Sequence, residues 1–199
     1  TVKNCSNEGQ MFSSCRHNGF VGKGHSGARH DNVGGIVGAV LGTDNNSSSI
    51  SGCTNTGTVS GGWTANNVNT TVLGGVAGLA KNVKIEDCKS AGTLKNGDAA
   101  NSCVGAAGGF VAYVIENVSV NKGSCTATFN LKKLSNSNLY WGLAFGNVKE
   151  SATIGSASFG CAANIDGTAL ELSADNFGDY ICNTGSNAKP TVTGCTWSK

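Results

Sequence analysis

One pattern is stated twice between Ile50 and Leu94. Ile50-Ser-Gly-Cys53-Thr-Asn-Thr-Gly57-Thr-Val59 returns 35 residues later as Ile85-Glu-Asp-Cys88-Lys-Ser-Ala-Gly92-Thr-Leu94. Each copy follows a glycine-flanked apolar run, Gly34-Gly-Ile-Val-Gly38 and Gly74-Gly-Val-Ala-Gly78. Self-similarity at such a period restricts a chain to stacked repeats, each burying its apolar face against its neighbours.

The signature [Ile/Val]-x-[Asn/Gly/Asp]-Cys occurs at Val2–Cys5, Ile50–Cys53, Ile85–Cys88 and Val192–Cys195. Ile115–Val118 fits with Val replacing Cys, and Ile154–Ala157 fits with Ala there. The six starts are separated by 48, 35, 30, 39 and 38 residues, as expected of coils whose loops absorb length differences. Three short segments recur in each coil. They are a glycine-flanked pair such as Ile36-Val37 or Val76-Ala77, the Ile-x-x-Cys stretch, and a pair such as Thr58-Val59 or Thr93-Leu94.

All are too short for helices and are bounded by Gly, Asn and Ser, so they read as strands. The fold class expected is all-β, a parallel β-helix or β-solenoid of about five coils, with a right-handed winding favoured by the crossover rule. The whole chain, residues 1–199, reads as one domain. Repeats are clear over 1–160, and 161–199 is a degenerate coil with a capping segment.

The repeat residues Ile50, Cys53, Gly57, Ile85, Cys88 and Gly92 have architectural readings. Cys53 and Cys88 should stack in the interior as small apolar groups, and Cys88→Ser should cost on the order of 1–3 kcal/mol. Gly57 and Gly92 stand four residues after the cysteine, where a recurring corner needs glycine. Cys15, Cys103, Cys125, Cys161 and Cys182 lie outside the column and are the better candidates for pairing. Nine cysteines cannot all pair within one chain.

Only 13% of the residues are charged and the net charge is +2, which excludes a strongly electrostatic partner such as nucleic acid. No apolar run is long enough to insert in a membrane. A surface kept soluble by Asn, Ser and Thr suits an exported protein, placed outside the cell or on its surface. The start at Thr1 fits a mature form or a piece of a longer chain.

The combination Gly-Gly-[Ile/Val]-[Val/Ala]-Gly with Cys53-Thr-Asn-Thr-Gly57-Thr-Val-Ser-Gly61 resembles the GLUG-motif repeats of bacterial surface proteins. Gly74–Gly78 with Cys88–Gly92 is a second copy, Gly108–Ala112 a partial one and Gly142–Phe145 a degenerate one. The resemblance covers roughly residues 1–130. It implies a secreted or cell-surface, adhesin-like module and brings no catalytic residue with it.

Chemistry must then be sought outside the repeat. Cys15, His17, His25 and His30 with Asp31 offer zinc-type ligands in one loop, but the spacings of 8 and 5 between histidines match no standard site. No cofactor is implied. Trp63 in the Gly61–Thr71 loop and Tyr140-Trp141 are candidate sugar-stacking aromatics. Glu86 and Glu116 are read as one coil apart, a spacing that a glycosidase on a β-helix would use.

The threonines near Thr54–Thr58 and Thr126–Thr128 suggest a hydroxyl face, interrupted by Lys89, Ala91 and Lys95. The reading is therefore a non-catalytic structural or adhesive module, binding a glycan or host protein through its loops. A polysaccharide-active enzyme is the alternative. A further partner is another solenoid, continuing this one or stacked on its end.

Overall fold

The computed structural model describes residues 1–13, 29–43, 48–62, 69–98, 104–133, 139–182 and 188–199. It is a β-solenoid of parallel strands stacked coil upon coil. Among the described residues, four coils are complete. A fifth keeps its first three strands, and a sixth consists of Thr191–Thr193 and Thr196–Trp197. Each complete coil has five strands rather than the three segments read from the repeat. In the second coil they are Ser48–Ser51, Thr54–Asn55, Thr58–Gly61, Asn69–Gly74 and Ala77–Lys81. Equivalent strands from successive coils build five stacked sheets, numbered here first to fifth in chain order.

Register shows what the repeat means. In the first sheet Val2, Ile50, Ile85, Val120, Ile154 and Val192 form one column. The fourth copy therefore starts at Val120 and not at Ile115, and 35 residues separate Ile85 from Val120 just as they separate Ile50 from Ile85. The cysteine position in that coil is Gly123, not Val118, which pairs with Val83.

The residue before each cysteine position is left-handed: Asn4, Gly52, Asp87, Lys122, Ser156 and Gly194 all have φ between 51° and 60°. That single residue turns the first sheet into the second. Asn, Asp and Gly take this conformation readily, whereas Lys122 and Ser156 are held in it by the strands on either side.

The motif Cys-x-Asn-x-Gly follows from this turn. The Cys53 thiol donates to the carbonyl two residues back, Ser51 O, at 3.3 Å. Cys88 does the same to Glu86 O at 3.3 Å, and Cys5 to Lys3 O at 3.4 Å. Asn55 Oδ1 accepts from the N–H of Gly57 at 3.2 Å, and Asn7 Oδ1 from Gly9 at 3.2 Å, bending the chain into the third sheet.

Gly57 is not a positive-φ corner, contrary to expectation. A Cβ there would lie 1.9 Å from Gly9 O, and one at Gly92 would lie 1.8 Å from Gly57 O. These glycines let neighbouring coils approach. Between the fourth and fifth sheets the Gly-Gly pair is itself the corner, so Ile36, Val76 and Phe110 sit at the bend between strands. A Cβ on Gly35, Gly75 or Gly109 would strike Asn55, Ser90 or Cys125 of the second sheet's inner column.

The core fills the middle coils of this frame. Ile50, Cys53, Ile85, Cys88 and Leu94 are fully or almost fully buried, as the repeat requires. Toward the later coils the filling becomes aromatic: Phe110, Phe129, Phe145 and Phe159 have no exposed surface. In the second sheet the inner column runs Asn7, Asn55, Ser90, Cys125, Phe159, Trp197.

The segment after Ile165 departs from the repeat. Thr168–Leu170 folds back antiparallel on Ala162–Ile165 and closes the third sheet. Tyr180 and Ile181 then accept from the N–H groups of Leu143, Ala144 and Phe145, in place of a regular corner. Phe177 bridges Phe159 and Trp197 with ring centroids 5.9 Å from each.

The cysteine column gives a direct test. Burial pushes the Cys88 thiol up to about 11, so it stays neutral and inert toward alkylating agents in the native state. Because Glu86 O accepts from Cys88, a serine hydroxyl has a partner waiting. Cys88→Ser should cost about 1 kcal/mol, the low end of the range expected from burial alone. A denaturant melt checks it, and a loss beyond about 3 kcal/mol would mean that the hydroxyl cannot use that carbonyl.

Candidate functional site

The exterior of the first three sheets is the most regular feature available to a partner. Thr58, Thr93 and Thr128 form an unbroken column. Beside it run Ser6, Thr54, Lys89, Ser124, Ser158 and Thr196 in one column, and Lys95, Asn130 and Asn164 in another. The threonine ladder thus runs over three coils at one position, between Gln10 and Ala162, while Lys89 interrupts the column of Thr54. Hydroxyls and amides repeat at the spacing between strands, about 4.8 Å. Such an array donates and accepts along a straight line without a cleft.

Tyr140 and Trp141 separate. They are neighbours on one strand, so they face opposite ways. Trp141 packs inward, with its ring centroid 5.6 Å from Tyr180 in a stacked pair and 5.8 Å from Phe129. It is half-buried and packs against the core beneath the last coil. Tyr140 is half-buried and packs with Tyr113 against a small separate cluster of Val72, Ala106 and Ala112. Burial raises the Tyr113 phenol, and the neighbouring Tyr140 adds to the effect. These two phenols are the aromatic groups nearest in kind to the expected sugar platform.

Trp63, Cys15, His17 and His25 lie outside the described residues. His30 falls in the strand Arg29–Gly34, in register with Thr70. Among the described residues, no three His, Cys, Asp or Glu side chains gather as metal ligands do.

Glu86 and Glu116 are not a pair. Glu86 lies between Ser51 and Asn121 in the first sheet, whereas Glu116 sits at the corner leading from the fifth sheet to the first. Glu116 accepts from the Lys81 ammonium at 2.7 Å and borders Glu150 and Asn82. Asn82 and Asn117 at this corner are both left-handed and stack by hydrogen bonds. Asn117 Nδ2 donates to Asn82 Oδ1 at 3.0 Å, and Ser151 Oγ donates to Asn117 Oδ1 at 3.0 Å. The corner is a polar ladder that holds three coils in line.

The Lys81 hydrogen bond, then its charge, holds the Glu116 carboxyl below the usual carboxylate range. A depressed folded value contributes stability above the unfolded value and loses it as pH falls through the depressed one. Titration of Glu116 by carbon NMR should therefore show a low midpoint, and Lys81→Met should move it back upward. An unchanged midpoint would assign the shift to the asparagine ladder instead.

A cavity of about 310 Å³ opens between Asp179, Ile181 and Cys182 on one side and Lys189 and Pro190 on the other. Among the described residues its lining holds one carboxylate, Asp179, and one ammonium, Lys189. The paired asparagines and the hydroxyl columns became visible only with the register, since each joins residues about 35 positions apart. No family model, curated protein or solved structure matches the chain.

Proposed function

We propose that this chain is a non-catalytic module of a secreted or cell-surface bacterial protein, structural and adhesive in role, that binds a glycan or a host protein. The observation that carries the reading is the exterior of the first three sheets. Its register-matched hydroxyls, amides and two lysines, Lys95 paired with Asp98 at 3.1 Å, suit a polar, repetitive partner. The resemblance to GLUG-motif repeats in Gly34–Gly38 and Cys53–Gly61 supports the same reading. So does a surface that reaches solubility with 13% charged residues.

The loops between the third and fourth sheets remain the place for specificity, Trp63 among them, because rigid coils present variable connections. At the first coil, column positions buried elsewhere come to the surface: Met11, in register with fully buried Val59, is 41% exposed. Stacking on another solenoid would continue those columns.

A glycan array on the purified chain, followed by a reducing-sugar assay on each hit, tests the reading. Binding without release of reducing ends is the expected result. Binding should weaken when Thr58, Thr93 and Thr128 are changed together to Ala, or when the 62–68 loop is shortened. Release of reducing ends would replace the proposal with a polysaccharide-active enzyme. Absence of any glycan hit, with capture of a host surface protein instead, would move the adhesive role to a protein partner.

A further inference from the structure

The cysteines divide into two kinds by where their thiols point. Those of the first-sheet turn, Cys5, Cys53, Cys88 and Cys195, each donate to the carbonyl two residues back. Cys125 and Cys161 do not. Cys161 Sγ lies 3.4 Å from Cys125 Sγ and 3.1 Å from Cys125 O, across 36 residues of chain. Both side chains are fully buried. Cys125 belongs to the second-sheet inner column of the fourth coil, and Cys161 follows the equivalent strand of the fifth. The two approach across the inside of the bend into the third sheet, where inward side chains converge. The thiols of Cys53 and Cys88 are instead turned to the carbonyls of their own first-sheet turns, Ser51 O and Glu86 O.

We propose that Cys125 and Cys161 are a modification site, closing into a disulfide that ties the fifth coil to the fourth when the chain folds in an oxidising medium. The fifth coil is where such a tie has most to hold, because its fourth and fifth strands are replaced by the irregular path through Tyr180–Cys182. With a small-molecule disulfide as oxidant, the thiolate of one of the two cysteines attacks one of its sulfurs and one thiolate leaves. The thiolate of the other cysteine then attacks the protein sulfur of that mixed disulfide and expels the second. The two protein thiols are oxidised, the oxidant is reduced to two thiols, and the two protons pass to the departing thiolates.

Once the coils close, the contact makes the two thiols unequal. Cys161 donates to Cys125 and so favours the thiolate there, while its own ionisation is pushed up by that hydrogen bond and by burial. Since neither thiol is exposed, the oxidant reaches them while the last coils are open.

The test is to refold the chain in excess oxidised glutathione or in excess reduced glutathione, then to map its cysteines by alkylation and mass spectrometry. The expected product links the peptides of Cys125 and Cys161 and is lighter by two hydrogens. Its thermal midpoint should exceed that of the reduced form by on the order of 10 °C, given the loop closed and the chain length. Cys125→Ala and Cys161→Ala should each abolish that difference. Recovery of both residues as alkylated thiols from the oxidised protein overturns the proposal. So does a bond from either of them to any other cysteine. The mapping uses the unmodified chain, so the result stands even where an alanine variant does not fold.

Discussion

Gly74→Ala is expected to remove most of the stability of the fold, although it adds a single methyl group. A Cβ at Gly74 would lie 1.7 Å from Ala77 O, 2.4 Å from Ala77 C and 3.0 Å from Gly78 N. All three neighbours are backbone, and Ala77 is locked between Val37 and Val111 in the fifth sheet. A side chain could swing aside; a ladder carbonyl can move only by pulling two coils with it. The corners at Gly34, Gly108 and Gly142 repeat the contact with the carbonyl three residues on, at 1.9, 2.0 and 2.3 Å.

Overpacking against a fixed backbone belongs to the severe end of single substitutions, about 4 kcal/mol or more. The thermal midpoint should fall by on the order of 10 °C or more. Gly178→Ala is the matched control, since nothing lies within 4 Å of a Cβ there. It should change stability by less than about 0.5 kcal/mol. Differential scanning calorimetry of the two variants decides the matter. Equal midpoints would mean that the corner can relax, and that the glycine pair is a matter of sequence habit and not of sterics.

The contrast shows which parts of this fold can be read from sequence. Ile50 with Ile85, and Cys53 with Cys88, announce a column because identical residues recur at one spacing, and both pairs are buried as that spacing requires. The five-strand coil was less legible. Gly-Gly-Val-Ala looks like the middle of one strand, yet the glycines are there because two strands end and begin against each other's backbone. The mistaken start at Ile115 has a physical cause as well. The repeat has a side chain of cysteine size at this position, and in the fourth coil that space is filled by the ring of Phe110.

The candidate surface was harder still. Thr58, Thr93 and Thr128 were separately visible, but their alignment depends on register, and one residue of slip would have placed Leu94 among them. Nor does sequence give the facing of Trp141 beside its loop, which only the alternation of its strand and its ring neighbours Phe129 and Tyr180 reveal.

That displaced ring gives the prediction most specific to this structure. By the logic of the repeat, Gly123→Cys restores the residue found at Cys5, Cys53, Cys88 and Cys195 and should be neutral or stabilising. The packing says the opposite. A Cβ on Gly123 would lie 2.6 Å from Phe110 Cζ, 2.7 Å from Phe110 Cε1 and 3.2 Å from Val120 Cγ1. Phe110 stands at the corner position held by Val76 one coil earlier and has no exposed surface. Its ring is also held edge-on to Phe159 at 6.2 Å and so has little freedom to withdraw.

Gly123→Cys alone should therefore cost about 2–3 kcal/mol by overpacking. Phe110→Val alone should cost a similar amount, about 2–4 kcal/mol, by leaving a void where the ring was. Together they recreate the Val76 and Cys88 arrangement of the preceding coil. The double variant should then be less destabilised than the two single costs combined, by a coupling of about 2 kcal/mol. Urea melts of the four proteins measure that coupling directly. Additive costs would show that ring and glycine do not share one space. A stabilised Gly123→Cys single variant would show that the repeat's consensus outranks the local packing at this coil.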